Sequence, residues 1–270
     1  MTWSFRAAPL LVAGPCVVEE GDVLARVADR IAAIRARLGI PVCLKASFDK
    51  ANRARLGAPR GPGLEAGLEA LARVKRSSGL PVLTDIHEAA QAALAAQVVD
   101  ALQVPAFLSR QTDLLVAAGS AGLPVNVKKG QWMAPEAMGG AVEKVRSGGC
   151  RDVAVTERGT AFGYGDLIVD MRSFARLREA TQATVLFDVT HALQQPGRGA
   201  DGTSGGQRRH VPALLLGAAA AGADGFFLET HPNPDQALSD GDTQWPLDTL
   251  EALLMRTLDV WHASHRGTGD

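Results

Sequence analysis

Eight short apolar runs, each followed by a longer Ala-, Leu-, Arg- and Glu-rich stretch, repeat along the whole 270-residue chain. The runs are 10–18, 41–48, 81–87, 101–107, 124–129, 152–158, 183–191 and 225–232. Several follow a Gly or Pro, the usual punctuation before a strand. Between them, helical patterns cover 22–38, 64–78, 89–98, 110–121, 135–147, 172–181, 208–221 and 247–262. In 22–38 the period is explicit: Val23, Val27, Ala28, Ile31 and Ile34 share one face, while Arg26, Arg30, Arg35 and Arg37 lie elsewhere. Strands that are apolar at nearly every position need cover on both faces, which means a parallel sheet sheathed in helices. A doubly wound open sheet also satisfies that requirement, but the count of eight favours an α/β class closed TIM (β/α)8 barrel. No composition break divides the chain, so one domain over 1–270 is expected.

The formal net charge is −1, which argues against bulk attraction to nucleic acid or to an anionic membrane and makes any basic site local. Cys16, Cys43 and Cys150 form no disulfide framework and suit a reducing compartment. No apolar run approaches the ~20 residues of a membrane span. The N-terminal stretch has no signal-peptide pattern, so the expected location is cytoplasmic.

Polar residues concentrate where the strands end. The endings are Cys16, Lys45, Asp85 with His87, Gln103, Lys128 with Lys129, Glu157 with Arg158, Asp188 with His191, and Glu229 with His231. A strand reaching solvent explains any one of them. Eight together suggest a shared mouth, since barrel enzymes draw catalytic groups from the C-terminal ends of several strands. Lys45, Lys50, Lys128 and Arg158 would face one cavity. Two like charges about 6 Å apart at an effective dielectric near 20 repel by roughly 3 kcal/mol. Such a cluster is sensible when a polyanion fills it, a phosphate ester with a carboxylate fitting best. Lys129 and Lys144 read instead as surface lysines with carboxylate partners.

Cys16, His191 and Glu229 close the first, seventh and eighth runs, and Asp240 follows in the loop beyond. Thiolate, imidazole and carboxylate suit Zn2+ or Fe2+ better than Mg2+. Spacing offers no compact ligand pair, and Cys16 taken alone reads more readily as a small buried hydrophobe. Two loops stand out. Residues 49–63 are rich in Arg and Lys, fit either to clamp a phosphate or to remain a solvated basic loop. Residues 194–206 are Gly-rich, fit either to form a lid or simply to tolerate change.

Ten segments taken in order resemble the KDO-8-phosphate synthase family (3-deoxy-D-manno-octulosonate 8-phosphate synthase). They are AGPC at 13–16, KASFDKANR at 45–53, RGPGLEAGL at 60–68, TDIHE at 84–88 and QVPAFLSRQTDLL at 103–115. The rest are NVKKGQW at 126–132, ERGTAFGYGDLIVDMRS at 157–173, FDVTHALQ at 187–194, SGGQRR at 204–209 and ETHPNPDQALSD at 229–240. The resemblance implies a (β/α)8 barrel, usually a homotetramer, that condenses phosphoenolpyruvate with D-arabinose 5-phosphate on the route to the Kdo sugar of lipopolysaccharide.

It further implies that Lys45, Lys50, Gln103, Lys128 and Arg158 hold phosphoenolpyruvate, helped by Ser47, Asp85 and the backbone at Ala106. Asn52 and Arg53 would hold the sugar phosphate, with Arg110 reaching it from a neighbouring subunit. Asp85, His191 and Lys50 are the candidates for proton handling or for positioning water. Metal-independent members of the family carry Asn in place of Cys16. Cys16 with His191, Glu229 and Asp240 therefore places the chain with the metal-dependent class, using a divalent Zn, Fe or Mn ion. Where many relatives read KANRS, this chain has Ala54 after Arg53, so a hydroxyl contact to the sugar phosphate is missing or comes from elsewhere. The nearest alternative is DAHP synthase, which uses erythrose 4-phosphate and would show a KPR-type motif where this chain reads Lys50-Ala51-Asn52-Arg53. A non-catalytic phosphosugar-binding barrel is the other, and the full set of matched site residues argues against it.

Overall fold

The computed structural model describes residues 3–53, 55–199 and 205–266; Ala54 and part of the 194–206 loop lie outside the described residues. Eight parallel strands follow one another around the sheet: β1 (Leu10–Gly14), β2 (Val42–Lys45), β3 (Val82–Asp85), β4 (Ala101–Val104), β5 (Val125–Lys128), β6 (Val153–Glu157), β7 (Thr184–Asp188) and β8 (Gly225–His231). β8 returns to pair with β1 from Leu10↔Gly225 to Gly14↔Glu229, which closes the barrel and excludes the open sheet. A two-residue strand, Trp245–Pro246, extends β8 outside it.

The helices are α1 (Val23–Leu38), α2 (Leu64–Ser78), α3 (Ala89–Ala96), α4 (Thr112–Ser120), α5 (Met138–Ser147), α6 (Ser173–Thr181), α7 (Val211–Ala220) and α8 (Leu250–His265). α1 buries Leu24, Val27, Ala28, Ile31 and Ile34, close to the predicted stripe, and stops where Gly39 adopts φ 66°.

Strand alternation sorts the side chains into two cores. Outward residues such as Leu11, Val42, Leu44, Val82 and Val125 pack beneath the helices. Inward residues Leu10, Val12, Cys43, Leu83, Ala101, Ala154, Leu186 and Phe227 fill the barrel. Phe5, fully buried, plugs its N-terminal end, where its N–H donates to Asp152 Oδ2 at 3.1 Å. Cys43 is thus a packing residue of the interior.

Two residues further along each strand, the next inward position lies one layer higher. There Lys45, Asp85, Gln103, Lys128, Asp188 and Glu229 replace the apolar side chains, all buried. In between, Asn126 Nδ2 donates to Gln103 Oε1 at 3.0 Å, and Thr156 Oγ1 donates to Asn126 Oδ1 at 2.7 Å. Gln103 is thereby oriented from below.

All eight strands end short of their expected bounds, and for the first and the seventh this places a site residue. The first stops at Gly14, whose backbone passes so near β2 that a Cβ there would lie 1.9 Å from the Lys45 carbonyl oxygen. Only glycine permits this approach, which brings Cys16 over the barrel. The seventh stops at Asp188, which caps a single helical turn, Val189–Ala192, by accepting the His191 N–H at 3.0 Å. His191 therefore stands on a helical turn and not on a strand.

Candidate active site

The C-terminal mouth opens into a cavity of about 830 Å³. Lys45, Lys50, Lys128 and Arg158 all line it, as do Asp85, Gln103, Ala106 and His191. The expectation of an uncompensated cationic cluster is corrected by their partners. Lys45 Nζ donates to Glu229 Oε1 at 2.8 Å, with Lys50 Nζ 3.9 Å from the same oxygen. Lys128 Nζ pairs with Asp188. The four cations thus interleave with the carboxylates Asp85, Asp188, Glu229 and Asp240, an arrangement that spacing along the chain could not reveal. Arg158 differs: its Nη2 donates to Gln194 Oε1 at 2.8 Å, but Nη1 is buried with no hydrogen-bond partner among the described residues. A buried guanidinium nitrogen left unpaired beside a cavity calls for an anion.

Burial shapes the charges. It pushes Lys128 down to about 8, against the pull of Asp188. Its ammonium lies 3.3 Å from the centroid of the Phe227 ring, which floors the mouth. Burial also lowers Lys50, yet the surrounding Cys16, Glu229, Asp85 and Asp240 outweigh it and hold that lysine charged. For Asp85 burial opposes ionisation, but the His87 hydrogen bond, Lys45 and Lys50 keep its carboxyl well below the usual range. His87 Nε2 lies 2.9 Å from Asp85 Oδ2, and Ser47 Oγ donates to Oδ1. Ser47 therefore sits behind Asp85, one layer away from the cavity. Asp85 is a fixed negative charge that orients its neighbours.

Three of the four predicted metal ligands converge: single donor atoms of Cys16, Glu229 and Asp240 lie within 4.8 Å of one another. His191 stands beside them, its Nε2 3.8 Å from Glu229 Oε1 and its Nδ1 2.7 Å from Asp188 Oδ2. A carboxylate behind the far ring nitrogen is the usual way a histidine is aimed at a metal. Glu229 Oε2 is buried with no hydrogen-bond partner among the described residues. Asp240 adopts φ 53°, a conformation uncommon outside glycine, and the N–H groups of Thr243 and Gln244 hold it by donating to its carbonyl. Burial first, then Asp240 and Glu229, push the Cys16 thiol up. The donor set fits a divalent metal, whose arrival would release that proton.

The residues expected to hold a second phosphate are less enclosed. Asn52 is exposed at the rim, while Arg53 Nη1 donates to Ser239 Oγ at 2.6 Å and Nε to the Pro59 carbonyl at 2.6 Å. Arg53 thereby ties the 49–63 loop to the loop that carries Asp240. Arg110 is exposed beyond β4 and does not line the cavity of its own chain. The 3-10 turn Ala106–Leu108 lines the mouth.

Two lysines depart from expectation. Lys129 is fully buried, not at the surface; its Nζ lies 3.4 Å from Glu157 Oε1 and also meets the Gly159 carbonyl and Thr160 Oγ1, so the pair ties the loops after β5 and β6 together. Lys144 Nζ donates to the Arg110 carbonyl and not to a carboxylate. Sequence reasoning also passed over Asp188 and Gln194 as site residues. Asp188 was visible as a strand ending, whereas nothing local marked Gln194.

The DAHP synthetase I family matches residues 6–262 of the chain. Among curated relatives, the 2-dehydro-3-deoxyphosphooctonate aldolase of Nitratidesulfovibrio vulgaris strain DP4 is 51% identical over 94% of this chain and 93% of its own. The protein of that name from Synechococcus sp. is 53% identical over 94% and 88%, and that from Stenotrophomonas maltophilia is 50% identical over 93% and 90%.

Proposed function

The chain belongs to the DAHP synthetase I family and, within it, to the 2-dehydro-3-deoxyphosphooctonate aldolases, and on that premise we propose that it joins phosphoenolpyruvate to D-arabinose 5-phosphate. With one water consumed, the products are 3-deoxy-D-manno-octulosonate 8-phosphate and inorganic phosphate. The observation that carries the reading is Arg158, whose buried Nη1 lacks a partner among the described residues and stands among three lysines at the mouth.

Both substrates are anions, so bringing them together requires fixed positive charge. Lys45, Lys50, Lys128 and Arg158 supply it for phosphoenolpyruvate, preorganised by Glu229, Asp188 and Gln194. Gln103, locked through Asn126, and the Ala106 N–H orient the carboxylate end. Asn52 and Arg53 lie where the sugar phosphate would dock. Arg110, outside its own cavity, serves that of a neighbour in a homotetramer. The stacked Phe107 and Trp132, 54% and 43% exposed near it, supply apolar surface for the contact.

Bond formation joins C3 of the enol to the aldehyde carbon, water adds at C2, and cleavage of the C2–O bond frees phosphate. Cys16, His191, Glu229 and Asp240 would hold a Zn, Fe or Mn dication, which when bound supplies Lewis-acid polarisation of an oxygen. Asp85 and His191 position water, and Lys50, charged beside Glu229, stabilises negative charge as it develops. Among the described residues no helix is long and apolar enough to cross a membrane.

Phosphate release from phosphoenolpyruvate, assayed with each aldose, tests the assignment. Arabinose 5-phosphate should drive it and erythrose 4-phosphate barely, the reverse preference indicating the other branch of the family. Chelation should abolish turnover and Zn2+, Mn2+ or Fe2+ restore it; full activity in metal-free protein would remove the metal from the reading.

A further inference from the structure

The anion grip and the donor cluster are wired together by three links. Lys45 reaches Glu229 directly, and its Nζ also donates to the Cys16 carbonyl at 2.8 Å. Lys128 and His191 share Asp188. The third link runs through a neutral side chain: Arg158 Nη2 donates to Gln194 Oε1 at 2.8 Å, and Gln194 Nε2 donates to Asp240 Oδ1 at 2.6 Å.

A primary amide suits that position because its two ends are opposite in kind. The carbonyl accepts from the guanidinium while the amino group donates to the carboxylate. Reversing it would set donor against donor and acceptor against acceptor, so the neighbours dictate its orientation. Gln194 also decides which Asp240 oxygen serves the cluster. With Oδ1 taken, Oδ2 faces Cys16 Sγ at 2.9 Å and Ser239 Oγ at 2.8 Å. The backbone of Gln194 is pinned by antiparallel pairing with Gly206, and Gln195 Nε2 donates to Asp166 on the other side.

We infer that Gln194 is a positioning residue that couples anion binding at Arg158 to metal binding at Asp240. An anion drawn to Arg158 Nη1 repositions the guanidinium, and the amide passes that change to the carboxylate. By linkage, metal at Asp240 must then alter anion affinity by the same factor. This rests on the metal reading above and deepens it.

The test uses the intact protein with Co2+ as probe, read through its visible ligand-field bands and its thiolate charge-transfer band, with and without phosphoenolpyruvate. No aldose is present, so nothing turns over. In the unaltered protein phosphoenolpyruvate should tighten Co2+ binding by about fivefold or more and move the bands. Gln194→Met keeps the volume and loses both hydrogen bonds. It should still bind Co2+, but the coupling factor should fall by about threefold or more, the low end for groups in one hydrogen-bonded network. Gln194→Glu keeps the acceptor for Arg158 and sets a carboxylate against Asp240. Its bands should differ from the unaltered protein before any anion is added, which a purely structural role would not produce. Undiminished coupling in both variants overturns the inference and leaves the metal site standing. Failure of the unaltered protein to bind Co2+ overturns the metal reading and the inference together.

Discussion

The lower and upper halves of the barrel interior are built from the same eight strands, yet they do opposite work. Below, Phe5, Leu10, Val12, Leu83 and Leu186 are buried in one apolar cluster. Above, Lys45, Asp85, Lys128, Asp188 and Glu229 are just as buried but held by charge. An apolar layer gains stability from every methylene it hides. A layer of buried ions gains little, because desolvation offsets most of the Coulombic attraction. The contrast teaches that the floor stabilises the fold while the mouth draws on that stability to keep charges in fixed places.

Three measurements bear on that division, the largest effect first. Phe5→Ala should destabilise the protein by about 3–5 kcal/mol in urea unfolding and leave kcat/KM unchanged below the new transition. Lost activity in a fully folded sample would mean that floor and mouth are not separate. Arg158→Leu should do the reverse, lowering kcat/KM by about two to three orders of magnitude while the unfolding midpoint holds or rises. It removes a buried donor that has no hydrogen-bond partner among the described residues, so a large drop in stability would contradict the division.

The smallest effect concerns protons at Lys128. Its folded-state value of about 8 lies below the ordinary 10.5, so the unfolded chain binds more protons between those values. Its burial therefore weakens the fold below pH 8, a penalty that fades as the pH rises from 8 to 10.5. A bound anion favours the ammonium, so phosphoenolpyruvate binding at pH 8.5–9 should take up protons. Calorimetry in buffers of different ionisation enthalpy measures this, and Lys128→Arg should abolish the uptake while keeping the charge. Uptake that survives the substitution would assign the proton to another group.

Much of this was legible in the chain. Alternating apolar runs announced the barrel, and the polar residue closing each run announced its mouth, because strand period and helix cover leave little freedom in where such residues go. Cys16, Glu229 and Asp240 were candidate ligands from where they stand at strand ends and just beyond, a reading that spacing left weak and the resemblance strengthened, and the fold brings their donors together. The errors came from contacts between residues far apart in sequence. Lys129 looked like a surface lysine until β5 and β6 met and enclosed it with Glu157. The lysines of the mouth looked unopposed until β7 and β8 delivered Asp188 and Glu229 to them.

The sequence by itself determined which strand residues face inward and which helix faces are covered, since both follow from periodicities of two and of about 3.6 that any reader of the chain can count, but it did not place Cys16 or His191, which lie beyond the strands. Tertiary structure alone decided which charge meets which. Lys45 is paired across 184 positions, Lys128 across 60 and Gln194 across 46. Such pairings are set by closure of the sheet, when β8 returns to β1 and the ends of distant strands come within hydrogen-bonding reach.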